Sequence, residues 1–258
     1  MPLKDRVESV RQRIEEACQR SGRTPSAITL VAVTKTVPAP LIQELIALGI
    51  TDLGENRVQE AREKQTALGS KLKAEGQSLQ PLRPDFQNQS RGGPASSLQQ
   101  IRWHLIGHLQ SNKAKHAVEL FDVIHSVDSL ELVQELERQC AKRNRSIDVM
   151  IQVNVAGEAT KSGCRPEMTE VLAQAARQQP HLRLTGLMTI APYIEDPETI
   201  RPVFRHLRAL RDQIGSSLQL PISSFRLSMG MSHDFEIAIE EGADIVRIGT
   251  AIFGARDK

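Results

Sequence analysis

Lys35 ends an apolar, largely β-branched run, TLVAVTK (residues 29–35), with a strongly hydrated ammonium. Such a lysine reads two ways. At an ordinary strand end it is a solvated charge. At the mouth of an enclosed site it loses hydration, its pKa falls toward neutrality, and the free amine can attack an aldehyde to form a Schiff base. Two stretches later in the chain suit an anion. SMGMS (228–232) sets Gly230 and Met231 between the hydroxyls of Ser228 and Ser232, and predicts a helix that opens on Ser232 as its N-cap. RIGT (247–250) adds Gly249 and Thr250. Glycine lets backbone amides approach a ligand, and a helix N-terminus offers unpaired N–H groups and the positive end of a dipole. Taken singly, each stretch is as well explained by a tight turn and a cap. Together, at the ends of two successive strands, they predict a phosphate cradle. An amine facing a phosphate site calls for a ligand with both a carbonyl and a phosphate. Pyridoxal 5′-phosphate (PLP) and sugar phosphates share that chemistry.

Other polar residues near strand ends are less distinctive. Arg247 sits inside an apolar strand and must be paired. Against PLP it would donate to the pyridine nitrogen and keep that atom unprotonated; otherwise it forms a salt bridge, with Glu55 or Asp244 as partner. His104 reads as a pocket residue or as a satisfied core histidine. Asn56 lines the pocket or caps the following helix. Ser126, Asp128, Asn154, Met188 and Thr189 also fall at strand ends, while Lys113, Lys115 and His116 read as a solvated face. Cys18, Cys140 and Cys164 are odd in number and form no CxxC, which points to free thiols rather than a disulfide framework or a zinc site.

The elements that position these groups alternate. Apolar strands are expected near 29–35, 51–55, 102–106, 122–127, 147–155, 183–190, 225–228 and 244–248. Helical patterns lie near 38–48, 56–68, 111–119, 129–144, 166–179, 197–214 and 232–241. Alternating βα units imply a parallel sheet. Eight of them in 258 residues favour a closed (β/α)8 barrel, one domain over 1–258, above an open doubly wound sheet. In such a barrel the site lies at the C-terminal strand ends, which is where the candidates collect. An extra amphipathic helix precedes the first strand, with Leu3, Val7, Val10, Ile14 and Ala17 on one stripe. It reads as part of the fold rather than a targeting leader. Residues 69–100, rich in Gln, Ser, Pro and Gly, read as a low-complexity surface insertion. The net charge of +2 does not suggest nucleic acid or a membrane surface, and no apolar run approaches the ~18 residues of a spanning helix.

Longer motifs carry a resemblance. AVTK (32–35), GENRVQE (54–60), WHLIGHLQSNK (103–113), GLMTIAP (186–192) and SMGMSHDFEIAIEEGADIVRIGTAIFG (228–254) together resemble the YggS/PROSC family of PLP homeostasis proteins, across nearly the whole chain. The segment 69–100 is longer than that family leads one to expect. The resemblance implies a fold-type III PLP barrel, similar to the N-terminal domain of alanine racemase. It implies Lys35 as the Schiff-base lysine, with Asn56 and Met188 lining the cofactor. Ser228, Gly230, Met231 and Ser232, with Gly249 and Thr250, would bind the phosphate, and Arg247 would face the pyridine nitrogen.

That family implies a cofactor carrier rather than an enzyme. Racemisation needs an acid–base group on each face of the substrate. Alanine racemase takes the second from a tyrosine and builds its site with a further β-domain. This sequence has a single tyrosine, Tyr193, read as a partly buried loop aromatic, and stops a few residues past the eighth strand. The expectation is a cytoplasmic, monomeric PLP-binding protein, with amino acids and PLP-dependent apoenzymes as possible partners. The alternatives are a low-activity racemase and, from fold alone, a sugar-phosphate isomerase or aldolase using Lys35.

Overall fold

The computed structural model of the chain describes residues 1–74, 101–158 and 160–254. Eight parallel strands pair in sequence order: β1 (Thr29–Val33), β2 (Asp52–Glu55), β3 (Arg102–Leu105), β4 (Val123–Val127), β5 (Ile147–Gln152), β6 (Leu182–Met188), β7 (Arg226–Ser228) and β8 (Ile245–Ile248). The last returns to the first, with Thr29 opposite Ile245 and Val31 opposite Arg247, so the barrel is closed. Around it lie α1 (Leu3–Ser21), α2 (Ala39–Ala47), α3 (Val58–Ala74), α4 (Ala114–Leu120), α5 (Leu130–Ala141), α6 (Thr169–Arg177), α7 (Arg201–Ser217), α8 (Phe235–Glu240) and α9 (Thr250–Phe253).

The period of two in each strand divides the apolar residues between two cores. Val31, Val123, Met150, Met188 and Ile245 fill the barrel interior. Leu53, Ile124, Ile151, Leu187 and Val246 join the buried layer shared with helix residues such as Leu45, Leu136 and Phe204. Low in the barrel the filling is ionic. Arg102 and Arg183 both pair with Asp148, and Arg226 donates to Thr29 Oγ1 at 2.6 Å.

The expected stripe of α1 is buried, and the helix stops at Gly22, whose φ of 66° suits a glycine C-cap. Arg13 fastens α1 to α8: it donates to both carboxylate oxygens of Glu236 at 2.7 and 2.9 Å, and its guanidinium lies 4.5 Å over the Phe235 ring.

Several boundaries differ from expectation. The fifth strand, expected to reach 155, ends at Gln152; Val153 keeps one isolated bridge to Cys164, and the Asn154 side chain donates to the Glu158 carbonyl at 2.8 Å, drawing the chain into a loop. The helices expected at 111, 166 and 197 each begin with a 3₁₀ turn. The second βα-unit helix continues through Ala74 rather than ending at 68. Gly69 lies within that helix. The rest of the expected insertion, 75–100, lies outside the described residues.

Candidate functional site

At the barrel mouth the chain turns sharply just past β1. Lys35 is exposed there, not enclosed as the desolvation argument expected, because the strand has already ended and Thr36 takes a left-handed φ of 61°. That conformation is unfavourable for a β-branched residue, and the surroundings hold it in place. The Thr36 N–H donates to Glu60. Lys64, buried under the same turn, donates to the Thr34 carbonyl, to Glu55 Oε1 at 2.7 Å and to Glu60 Oε1 at 2.6 Å. Thr34 Oγ1 donates to the same Glu55 oxygen at 2.5 Å. Burial pushes Glu55 above the ordinary carboxylate range, although the hydrogen bonds from Lys64 and Thr34 oppose it. The amine of Lys35 thus projects from a corner pinned by a second lysine that reasoning from strand ends did not single out. Next to it, Asn56 follows β2 and is half-buried. Gly107, just past β3, passes so close that a Cβ there would lie 2.4 Å from the Asn56 carbonyl oxygen, so glycine is needed for the two strand ends to meet.

The loop from β7 to α8 carries the expected anion-binding residues. Gly230 has φ 93°, and a Cβ on it would meet Ala238 Cβ at 2.6 Å and the Phe235 Cα at 2.9 Å. Only glycine allows this loop to lie on α8. Ser232 is not the N-cap of α8, which starts three residues later. Its hydroxyl instead accepts the Gly249 and Ala251 N–H groups, each at 3.2 Å, tying the loop after β7 to the one after β8. The Met231 N–H donates to Asp234 Oδ1 at 2.5 Å. Burial raises Asp234 against that hydrogen bond and the charge of Arg247. Met231 is half-buried and Thr250, at the start of α9, is exposed.

Below the loop lies Arg247. It is buried, and burial pushes its pKa down to about 10, with Asp234 opposing. The expected alternative, a salt bridge to Glu55 or Asp244, is not formed. Glu55 serves Lys64, and Asp244 pairs with Arg23 at 2.7 Å. Arg247 donates instead to two neutral oxygens, Ser228 Oγ at 2.7 Å and the Thr189 carbonyl at 2.8 Å. Met188, beside Ser228 in register, is fully buried in the interior cluster. The Ser228 hydroxyl is taken up within the barrel: besides Arg247, His125 Nδ1 lies 2.9 Å from it. His104 is buried too, with Nδ1 2.9 Å from His125 Nε2 and Nε2 3.0 Å from Asp52 Oδ1. The histidine expected either to reach the pocket or to sit satisfied in the core is the latter, with both ring nitrogens committed.

Lys35, Asn56, Met188, Ser228, Gly230, Met231, Ser232, Arg247, Gly249 and Thr250 therefore all lie at or just below one end of the barrel. Other strand-end candidates do separate work. Asp128 faces His108 at 3.4 Å, Asn154 serves its own loop, and Ser126 is buried. Lys113 and Lys115 are exposed. Tyr193, expected to be partly buried, is 81% exposed because its loop stands off the barrel; its ring leans on His233, centroids 4.8 Å apart. The three cysteines are free and buried, and burial pushes Cys140 and Cys164 up to about 11, so their thiols stay protonated and inert.

The chain matches the family described as alanine racemase, N-terminal domain, over residues 6–257. It is 41% identical to the pyridoxal phosphate homeostasis protein of Aquifex aeolicus, covering 98% of this chain and 97% of that protein. To the protein of the same name in Escherichia coli K12 it is 38% identical, covering 96% and 94%. Among solved structures, PipY of Synechococcus elongatus superposes with a TM-score of 0.77 without PLP and 0.75 with PLP bound, at 33% and 32% identity, covering 98% of this chain and all of PipY. An alanine racemase from Clostridium difficile superposes with a TM-score of 0.65 at 13% identity and covers 58% of that chain, a likeness of fold alone.

Proposed function

Because the chain belongs to the YggS/PROSC family of pyridoxal phosphate homeostasis proteins, we propose that it binds PLP at the C-terminal mouth of its barrel and holds it for vitamin B6 homeostasis, influencing amino-acid and keto-acid balance. One observation carries this reading. The side-chain amine of Lys35 stands just past the end of β1, four residues beyond the position opposite Arg247, a buried guanidinium that among the described residues donates to two neutral oxygens. An aldehyde needs the first and a ring nitrogen suits the second. The donor set therefore fits PLP, which supplies an amine-reactive carbonyl when bound.

Each residue then has a task. Lys35 would supply the amine for the covalent link. Arg247 would donate to the pyridine nitrogen, which would leave the ring a weaker electron sink. Met188 and Asn56 bound the ring. The loop of Gly230, Met231 and Ser232, with Gly249 and Thr250, would cradle the phosphate; the Met231 and Gly249 N–H groups are given to Asp234 and Ser232, and Ser232 keeps the two loops in register. A sugar phosphate offers no ring nitrogen for this arginine to bond.

The same geometry favours a carrier over a racemase. His104 spends both nitrogens inside the barrel, and Tyr193 lies out on His233. Neither is placed to return a proton on the face opposite Lys35. Free amino acids would compete with Lys35 for the PLP aldehyde, and PLP-dependent apoenzymes would be the recipients of released cofactor. The protein acts as a cytoplasmic monomer without nucleic-acid or membrane partners. Among the described residues no helix is long and apolar enough to cross a membrane.

The test is spectroscopic and chemical. The purified protein is expected to absorb in the visible or near-ultraviolet, and borohydride followed by mass spectrometry should place a pyridoxyl adduct on Lys35, absent in Lys35→Ala. An adduct mainly on Lys113 or Lys115 would overturn the assignment.

A further inference from the structure

A line of hydrogen bonds crosses the barrel interior from Arg247 on β8 to Asp52, the first residue of β2. Its members are Arg247, Ser228, His125, His104 and Asp52, and its four links measure 2.7, 2.9, 2.9 and 3.0 Å. The middle three members are essentially inaccessible to solvent. The two ends, together with two neutral imidazoles, fix the direction of every bond between them. Arginine only donates, and an ionised carboxylate only accepts. Asp52 is held below the ordinary carboxylate range: burial pushes it up, but the bond from His104 and the charges of Arg102 and Arg226 outweigh burial. Burial holds both imidazoles below their ordinary value, His125 the more so, which makes them neutral at pH 7.

A neutral imidazole has one donor and one acceptor, so the order follows link by link. His104 gives its Nε2 proton to Asp52 and must accept at Nδ1. His125 then gives its Nε2 proton to His104 and accepts at Nδ1. Ser228 gives its hydroxyl proton to His125 and accepts from Arg247. All four donors point the same way, from the guanidinium toward the carboxylate.

We propose that Asp52, His104, His125 and Ser228 are positioning residues for Arg247: through this line the Asp52 carboxylate, at the far end of the barrel, orients and polarises the guanidinium that faces the cofactor ring. Ser228, with its one proton directed at His125, has none to give a phosphate. Its role in binding is to aim Arg247. The inference rests on the reading of the mouth as a PLP site for its functional half, while the direction of the line stands independently of it. A buried guanidinium without a carboxylate in contact is costly; aligned neutral dipoles ending on a carboxylate offset that cost.

Two measurements decide the matter. In ¹⁵N-histidine-labelled protein, His104 and His125 should both appear at neutral pH as neutral tautomers protonated at Nε2. Either ring protonated at Nδ1, or charged, overturns the line. The second measurement compares PLP with pyridoxal, which lacks the phosphate, in Ser228→Ala and in the near-isosteric Asp52→Asn. Loss of a hydrogen bond to a charged group corresponds to about tenfold to a hundredfold in affinity, and Ser228→Ala should weaken both ligands by the same factor. A loss confined to PLP would make Ser228 a phosphate ligand and refute the proposal. The two substitutions, which share no direct contact, should also be non-additive; strict additivity refutes the relay. Should wild-type protein bind neither ligand, the PLP reading fails, and the tautomers still decide the line.

Discussion

Replacing Lys64 by methionine tests the corner that carries Lys35. Lys64 and Glu55 are both buried, with the Glu55 side chain wholly so, and the ammonium also satisfies Glu60 and the Thr34 carbonyl. Methionine matches the aliphatic stem and removes the charge. Breaking one partner out of a buried ion pair costs about 3–5 kcal/mol. Here the cost should depend on pH. Without Lys64 the folded-state pKa of Glu55, already raised, rises further above its unfolded value near 4.3. The folded protein then favours the protonated acid, so stability is retained at low pH and lost as pH climbs through the unfolded pKa toward the folded one. At pH 5 the proton contributes a penalty of only about 1 kcal/mol. By pH 8 keeping Glu55 protonated would cost about 5 kcal/mol, which sets the ceiling. In Tm, a loss of 3–5 kcal/mol corresponds to about 6–20 °C at this chain length. The assay is thermal unfolding followed by circular dichroism at pH 5 and pH 8, on Lys64→Met and on Glu55→Gln/Lys64→Met. Glutamine cannot ionise and still accepts from Thr34, so the double variant should lose the pH dependence and recover most of the stability at pH 8. A single variant as stable as wild type at pH 8, or a double variant no better than the single, would refute the argument.

Three further outcomes are expected. Thr36→Gly should raise Tm by a few degrees, since left-handed backbone costs a non-glycine residue about 1–2 kcal/mol and the added freedom of glycine in the unfolded chain costs about 0.5–1; a lower Tm would show that Thr36 is not strained. Gly230→Ala should destabilise by about 2–4 kcal/mol, from a positive φ together with a Cβ driven into Ala238 and Phe235, and should weaken PLP binding; an unchanged Tm would mean the loop is free to move. Solvent deuterium should not enter the α-carbon of alanine, serine or glutamate at ordinary enzymatic rates of about 1–10³ s⁻¹; turnover at such rates that disappears in Tyr193→Phe or His104→Ala would make the protein an enzyme.

Much of this architecture was legible in the residue pattern. Runs such as IDVMIQVNV and ADIVRIGTAIFG are apolar on both parities, as strands covered on both faces must be, and the βα alternation leads to the closed barrel that is found. The mouth residues could be placed because barrel topology puts every strand end in one place. Less visible was anything decided by a partner distant in sequence. Ser232 looks like a helix cap, yet it accepts from Gly249 and Ala251 instead. Lys64 looks like one more surface lysine four residues after Glu60, until the turn of Thr34–Thr36 closes over it. His104 and His125 did leave a sign: each sits on the inward parity of its strand, His104 beside Arg102 and His125 beside Val123, and the two strands are neighbours. Asp52 on the strand before them completes the series. The four-residue α9 falls below any periodicity the eye can use.

Closure of the barrel also orders events during synthesis. β1 finds one of its two neighbours only in β8, and Arg13 of α1 waits for Glu236, 223 residues further along the chain. At ribosomal speeds of about 5–20 residues per second, that interval lasts roughly 10–45 s. Through it, the open flank of β1 carries unpaired N–H and C=O groups, and α1 has no α8 to bury its apolar stripe against. Such an edge invites pairing with another chain. The nascent protein is therefore most exposed to misassembly just before β8 emerges, and a chaperone that shields the α1–β1 segment would act in that interval.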